Sequence, residues 1–204
     1  LFLVISKSGN TIETLSNLLS LKILKRNKKN IIIISEKKNN FLHSQARKLN
    51  LFYIEHKNFI GGRFSVLSEV GLLPAYLMGI NIFKIRRNIK KFLSNRREIN
   101  YLKESSINLA DILIKKKQNN IIFLNYVPQL EKFLYWCQQL IAESLGKNGM
   151  GFLPVVSNVP KDHHSLLQLF LDGPRDKIFY VFSYEKTMSK KIKIKSNDKK
   201  LSHL

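Results

Sequence analysis

The chain has 204 residues, with 35 lysines and arginines against 14 aspartates and glutamates, a formal net charge of +21. Hydrophobic residues make up 44% of it, enough to bury a core and to exclude a disordered polymer. Its single cysteine, Cys137, excludes an internal disulfide and suits a reducing, cytoplasmic location, and no apolar run approaches the roughly 20 residues that span a bilayer. Leu1 to Ile5 is a continuous apolar run, as expected of a strand buried on both faces. The chain opens on this run and not on a methionine, so it is expected to be part of a longer protein. Thr11 to Leu24 follows with leucines at helical spacing, then Ile31 to Ile34 as a second strand, Phe41 to Leu49 as a helix and Leu51 to Ile54 as a third strand. That strand–helix–strand order predicts a parallel sheet with crossover helices.

From Gly71 to Lys117 the pattern is helical, with Pro74 expected in a first turn, where its missing N–H costs little. Ile82 to Leu93 within it is basic and amphipathic, read as a surface helix with its lysines in water. A second α/β unit starts near Asn119. Its predicted elements are a strand at Ile121 to Leu124, a helix at Pro128 to Leu145, a short helix at His164 to Leu171 and a strand at Lys177 to Ser183. Cys137 falls in an apolar helical stretch and reads as a small core residue, not a nucleophile. The lysine-rich stretch from Lys186 to Leu204 is expected to be exposed.

A charge this large ordinarily points to an anionic partner, nucleic acid first. Here the lysines are spread along the chain among abundant asparagine and isoleucine, all three favoured by adenine- and thymine-rich codons. Composition therefore accounts for the charge, and neither a specific nucleic-acid partner nor a membrane is expected. Basic charge still attracts a phosphorylated metabolite.

Four stretches carry chemistry. Ser6-Lys7-Ser8-Gly9-Asn10-Thr11 lies between a buried strand and a helix, where backbone N–H groups favour a phosphate. Hydroxyls of Ser6, Ser8 and Thr11 add donors, Lys7 adds a charge and Gly9 allows close approach. The competing reading is that Thr11 simply caps the helix. Gly61-Gly62-Arg63 permits a tight turn ahead of a permanent cation, against the plainer reading of a glycine turn with a solvated arginine. Glu143 lies near the C-terminus of a helix whose Leu140, Ile141 and Leu145 predict burial, a setting that suits a general base; the alternative is a surface pair with Lys147. His163-His164 opens a helix, and adjacent positions point different ways, so one histidine can serve a site while the other does not. No cysteine or carboxylate cluster completes a metal site with them.

Taken together and in order, these stretches resemble the phosphoglucose isomerase family. Ser6 to Thr14 is similar to its phosphate-binding signature, and Gly61 to Leu73 (GGRFSVLSEVGLL), Gln139 to Lys147 (QLIAESLGK) and Asp162 to Leu169 (DHHSLLQL) to three further hallmarks. The first motif alone also occurs in other sugar isomerase domains. The resemblance implies two such domains, each a parallel sheet flanked by helices: residues 1–85 as the C-terminal part of the first, and 86–204 as the second, with a basic tail from about 186. It implies a phosphorylated hexose held by Ser6, Lys7, Ser8 and Thr11 next to the Gly62 backbone. Glu143 would be the catalytic base, Arg63 the stabiliser of the intermediate, and His164 the ring-opening group, reaching the site from a second subunit of a homodimer. The implied reaction interconverts glucose 6-phosphate and fructose 6-phosphate through a cis-enediolate and requires neither a metal nor an organic cofactor. Asn10 stands where threonine or serine is more usual, and the tail lysines show no match to the family's C-terminal catalytic lysine. The isolated chain is therefore expected to be inactive. A non-catalytic phosphosugar-binding regulator of the same fold is the alternative.

Overall fold

The computed structural model describes residues 1–115 and 118–184. The chain divides into two compact units, Leu1–Ile114 and Lys115–Leu204, so the first unit extends past residue 85. Lys116, Lys117 and the basic stretch from Lys186 to Leu204 lie outside the described residues.

In the first unit, β1 (Phe2–Ile5), β2 (Ile31–Ser35) and β3 (Phe52–Glu55) form a parallel sheet in that order. Val4 pairs with Ile33, and Ile33 with Tyr53. β2 is central and reads Ile-Ile-Ile-Ile-Ser because both its faces are covered; Ile31, Ile33 and Ile34 are fully buried. The crossovers are α1 (Ile12–Ser20) and α2 (Phe41–Leu49). Leu18 from α1, with Leu42 and Ala46 from α2, joins Val4, Ile23, Ile31, Ile33 and Leu51 in one core. The helix predicted to run to Leu24 ends at Ser20, because Lys22 takes a left-handed conformation (φ 51°) and Ile23–Lys25 form a separate 3-10 turn. α2 ends where predicted. Asn40 caps its start by accepting from the His43 N–H at 2.9 Å, and Asn50 closes it in the left-handed region (φ 52°).

After β3 a 3-10 segment, Gly62–Leu67, leads into α3 (Glu69–Leu77), followed by α4 (Ile82–Ser94) and α5 (Arg96–Lys115). The predicted single helical region is thus three helices. Pro74 does not lie in a first turn. Ser68 caps α3 by accepting from the Val70 N–H at 3.3 Å, which starts the helix early and leaves Pro74 inside it. The Val70 carbonyl loses its usual i+4 donor as a result. α4 buries none of its residues.

In the second unit β4 (Asn120–Asn125) lies between β5 (Leu153–Asn158) and β6 (Lys177–Phe182), again all parallel. Ile122 is level with Val155 on one side and Phe179 on the other. A 3-10 turn at Pro128–Leu130 precedes α6 (Glu131–Leu145), and α7 (His163–Asp172) follows β5. β5 was not foreseen: Pro154 interrupts its apolar run, and the structure accommodates that proline on an outer strand. Among the described residues no helix is long and apolar enough to cross a membrane.

Each unit is an α/β body built around one central apolar strand. Ile33→Ala empties the middle of the first sheet, where the side chain is fully buried. It is expected to lower the unfolding free energy by about 2–5 kcal/mol in urea denaturation.

Candidate active site

The loop after β1 is built from hydroxyls that bond one another. The Ser6 and Thr11 hydroxyls are 2.7 Å apart, and the Ser8 hydroxyl is 3.4 Å from that of Thr11. The Gly9 N–H donates to the Ser6 hydroxyl at 3.1 Å. Thr11 occupies the N-cap of α1, yet its side chain makes no capping bond; the hydroxyl turns into the loop instead. That favours the ligand reading of Thr11 over the capping one, because the first turn of α1 keeps N–H groups that its cap does not satisfy.

Gly9 has φ +69°, and a Cβ there would lie 1.9 Å from the Asn40 side-chain oxygen. The glycine is required on both counts. Asn40 in turn donates to the Glu36 carbonyl at 2.9 Å, and the Glu36 N–H donates to the Lys7 carbonyl at 3.0 Å. Asn10, the unusual residue of the motif, accepts from the Phe41 N–H at 2.9 Å and ties the loop to α2.

Lys7 does not extend into open solvent. Its ammonium donates to the Asn58 carbonyl at 3.1 Å and lies 3.5 Å from a Glu36 carboxylate oxygen, so it reaches from the loop after β1 to the segment after β3. Glu36 is buried and also holds Lys38 at 2.6 Å. The hydrogen bond from Lys38, backed by the charges of Lys38 and Lys7, holds the Glu36 carboxyl below its ordinary value near 4.5, against the opposing effect of burial.

The Gly61-Gly62-Arg63 stretch starts the 3-10 segment. Neither glycine has positive φ, so the turn does not need glycine for its backbone. What distinguishes Gly62 is space: an added Cβ would meet nothing within 4 Å. The crowded glycine is Gly71, whose Cβ would lie 2.0 Å from the Val66 carbonyl oxygen. The Arg63 guanidinium lies over the Phe64 ring, 4.9 Å from its centroid.

In the second unit Glu143 is exposed, and α6 buries only Leu134. The burial expected around this carboxylate is therefore not present; its oxygen accepts from Gln139 at 3.2 Å. Cys137 is half-buried, and burial pushes its thiol up. The two histidines diverge: His163 packs edge-on against Tyr126 at 6.0 Å, whereas His164 is exposed. Topology separates Glu143 from His164. Glu131 at the start of α6 accepts from Asn158 at the end of β5, where Asp162 accepts from the Asn158 N–H just ahead of α7. Gln138 then donates to the Pro154 carbonyl near the start of β5, so α6 runs back along the strand. Glu143 lies twelve residues past Glu131, roughly 18 Å along the helix, away from the end that carries His164.

The site residues thus fall into a connected group in the first unit and two separate positions in the second. Glu36, Asn40 and Asn58 take part in the first group and were not singled out from sequence; nor were His56 and Glu69, which pair beside it. Only Asn40 carried a sequence signal, as a polar residue directly ahead of an amphipathic helix. Among the described residues, no three histidines, cysteines or carboxylates gather to hold a metal.

Residues 1–151 match the family model for phosphoglucose isomerase. The chain belongs to the phosphoglucose isomerase family. A glucose-6-phosphate isomerase of Methanocaldococcus jannaschii is 36% identical over 98% of this chain and 51% of its own length. A probable glucose-6-phosphate isomerase of Methanococcus maripaludis is 37% identical over 87% of this chain and 42% of its own length. The chain therefore spans about half the length of these phosphoglucose isomerases. A crystal structure of a hypothetical protein from Thermus thermophilus superposes with a TM-score of 0.72 at 30% identity, covering 88% of this chain and 46% of that one.

Gly9→Ala forces both a strained φ and a clash with Asn40. It is expected to cost about 1–3 kcal/mol of stability and to weaken inorganic phosphate binding at least about tenfold by calorimetry. For Glu36, the folded-state value lies below the unfolded one. Its stabilisation is present above the ordinary value and is lost as pH falls through the lowered one. The urea midpoint of Glu36→Gln should thus lie below that of the parent at about pH 7, and the gap should close as pH falls through the lowered value.

Proposed function

We propose that the protein carrying this chain interconverts glucose 6-phosphate and fructose 6-phosphate, as the names of its relatives describe for them. The observation that carries this reading is the Ser6–Thr11 loop. It combines three clustered hydroxyls, an α1 N-terminus without a side-chain cap and a glycine that cannot be replaced, in a family member.

The phosphate docks on the Ser6, Ser8 and Thr11 hydroxyls and the first turn of α1, which fixes the sugar for the later steps. Lys7 faces the same region between Glu36 and Asn58 and adds positive charge. The open space beside Gly62 leaves room for the sugar against the backbone. His164 transfers a proton between the ring oxygen and the C1 hydroxyl and opens the ring. Glu143 removes the C2 proton and returns it to C1; one base serves both carbons because they are adjacent on one face of the enediol. Arg63 stabilises the negative charge that develops on oxygen in between. C1 is reduced as C2 is oxidised, an internal exchange that needs no external oxidant or reductant, and a second proton passes from the C2 hydroxyl to the C1 oxygen as the enediolate forms and collapses.

The separation of Glu143 from His164 along β5 supports a homodimeric arrangement in which the histidine comes from a second copy. The lone cysteine and glycolytic chemistry point to the cytoplasm. A regulator that only binds phosphosugars would need the loop but not Glu143.

Glu143→Gln keeps the shape and removes the base. In the protein that carries this chain, it is expected to lower turnover of fructose 6-phosphate by about two to four orders of magnitude, with inorganic phosphate still bound. Unchanged turnover in a coupled assay removes Glu143 from the mechanism. Binding without turnover in the parent protein favours the regulator.

A further inference from the structure

His56 is the most buried ionisable side chain of the first unit, 1% exposed, and no step above uses it. Its backbone N–H donates to the Ser35 carbonyl at 2.8 Å, which fixes it at the end of β3 beside β2. Both ring nitrogens are engaged. Nδ1 meets the Glu69 carboxylate, and Nε2 lies 3.2 Å from the Ile60 carbonyl oxygen. Glu69 is the first residue of α3, and Ile60 immediately precedes Gly61. One rigid ring therefore bridges the gap between Ile60 and Glu69, nine residues apart in sequence, and holds the two flanks of the Gly61-Gly62-Arg63 turn at a set separation. Within the gap, the Ser65 hydroxyl donates to the Gly62 carbonyl at 2.6 Å and the Ser68 hydroxyl to the Ser65 carbonyl at 2.7 Å. From outside it, Lys7 grips the Asn58 carbonyl at 3.1 Å.

A buried histidine is most often a satisfied core residue. This one differs in what it joins. Neither of its side-chain partners belongs to the sheet, and both bracket the turn that carries Arg63. Gly61 and Gly62 add no side-chain packing to stiffen that turn. A cation that stabilises a transient oxyanion must be held to within a few tenths of an ångström, and displacement by about 1 Å can cost a factor of about 100.

We infer that His56 and Glu69 are positioning residues whose pairing holds the Gly61-Gly62-Arg63 turn so that Arg63 is aligned for catalysis. The inference rests on the isomerase reading. It predicts a split between binding and turnover, because the Ser6–Thr11 loop keeps its anchors through Asn40 and Asn10 when the His56–Glu69 pair is lost.

The test uses His56→Gln, whose single amide cannot span both partners, and Glu69→Gln, which keeps shape at a partly exposed position and so folds if the buried variant does not. Each is expected to lower kcat on fructose 6-phosphate by about 10- to 100-fold while KM and inorganic phosphate binding change by no more than about twofold. In a double-mutant cycle, Arg63→Ala should cost far less in either background than alone, because the arginine is already misplaced there. An unchanged kcat, a KM rising in step with the fall in kcat, or independent multiplication of the two losses overturns the inference and leaves the isomerase reading intact. Absence of turnover in the parent protein overturns both.

Discussion

Gly9 sits at φ +69° with the Asn40 amide packed where a side chain would be. Much of the first unit's chemistry depends on that contact. Asn40 caps α2 with its oxygen and bonds the Glu36 carbonyl with its nitrogen, so the loop after β1 and the loop after β2 share one anchor. Glu36 extends the chain of contacts by holding Lys7, and Lys7 carries it to the segment after β3 through Asn58. Three loops at the same end of three parallel strands become one rigid surface through a handful of hydrogen bonds. Parallel sheets place their loops this way, and ligand sites in α/β proteins form at the carboxyl ends of strands for that reason.

The second unit solves a different problem. Its polar contacts, Asn125 to Asn158 to Glu131, knit the carboxyl end of β4 and β5 to the start of α6. They fix which way α6 runs, and hence that Glu143 and His164 face different neighbourhoods. The direction of one helix thus separates the two residues, a constraint invisible in the spacing of the two motifs along the chain.

Much of the fold was legible in sequence. Four consecutive isoleucines name a central strand, and α2 runs over the predicted Phe41 to Leu49. β5 was not legible because Pro154 breaks the apolar run that would announce it. Pro74 misled because proline at a helix start is common, whereas here Ser68 set the start six residues earlier. Leu140, Ile141 and Leu145 marked a face able to be buried, but hydrophobic pattern reports capacity and not a partner, and α6 buries little beyond Leu134. The motif residues of the loop were found because glycine and hydroxyls are distinctive. Glu36, His56 and Glu69 were not, because their significance lies in contacts across 13 or more residues.

Charge shows the same difference between inventory and placement. With 35 cations and 14 acids, chance alone would surround every carboxylate with lysines. Glu36 and Glu69 are nonetheless each placed at a single junction between loops, one on Lys7 and Lys38, the other on His56. A carboxylate beside the proposed phosphate loop weakens the local positive potential, which is costly if an anion is to bind there. Its presence there is explained by what it holds in place. Glu36 offsets one charge of the two it gathers, leaving the pair of ammonium groups with a net +1 near the loop. The excess of cations in the chain at large therefore says little about the site, where the balance is set by two acids and the geometry they impose.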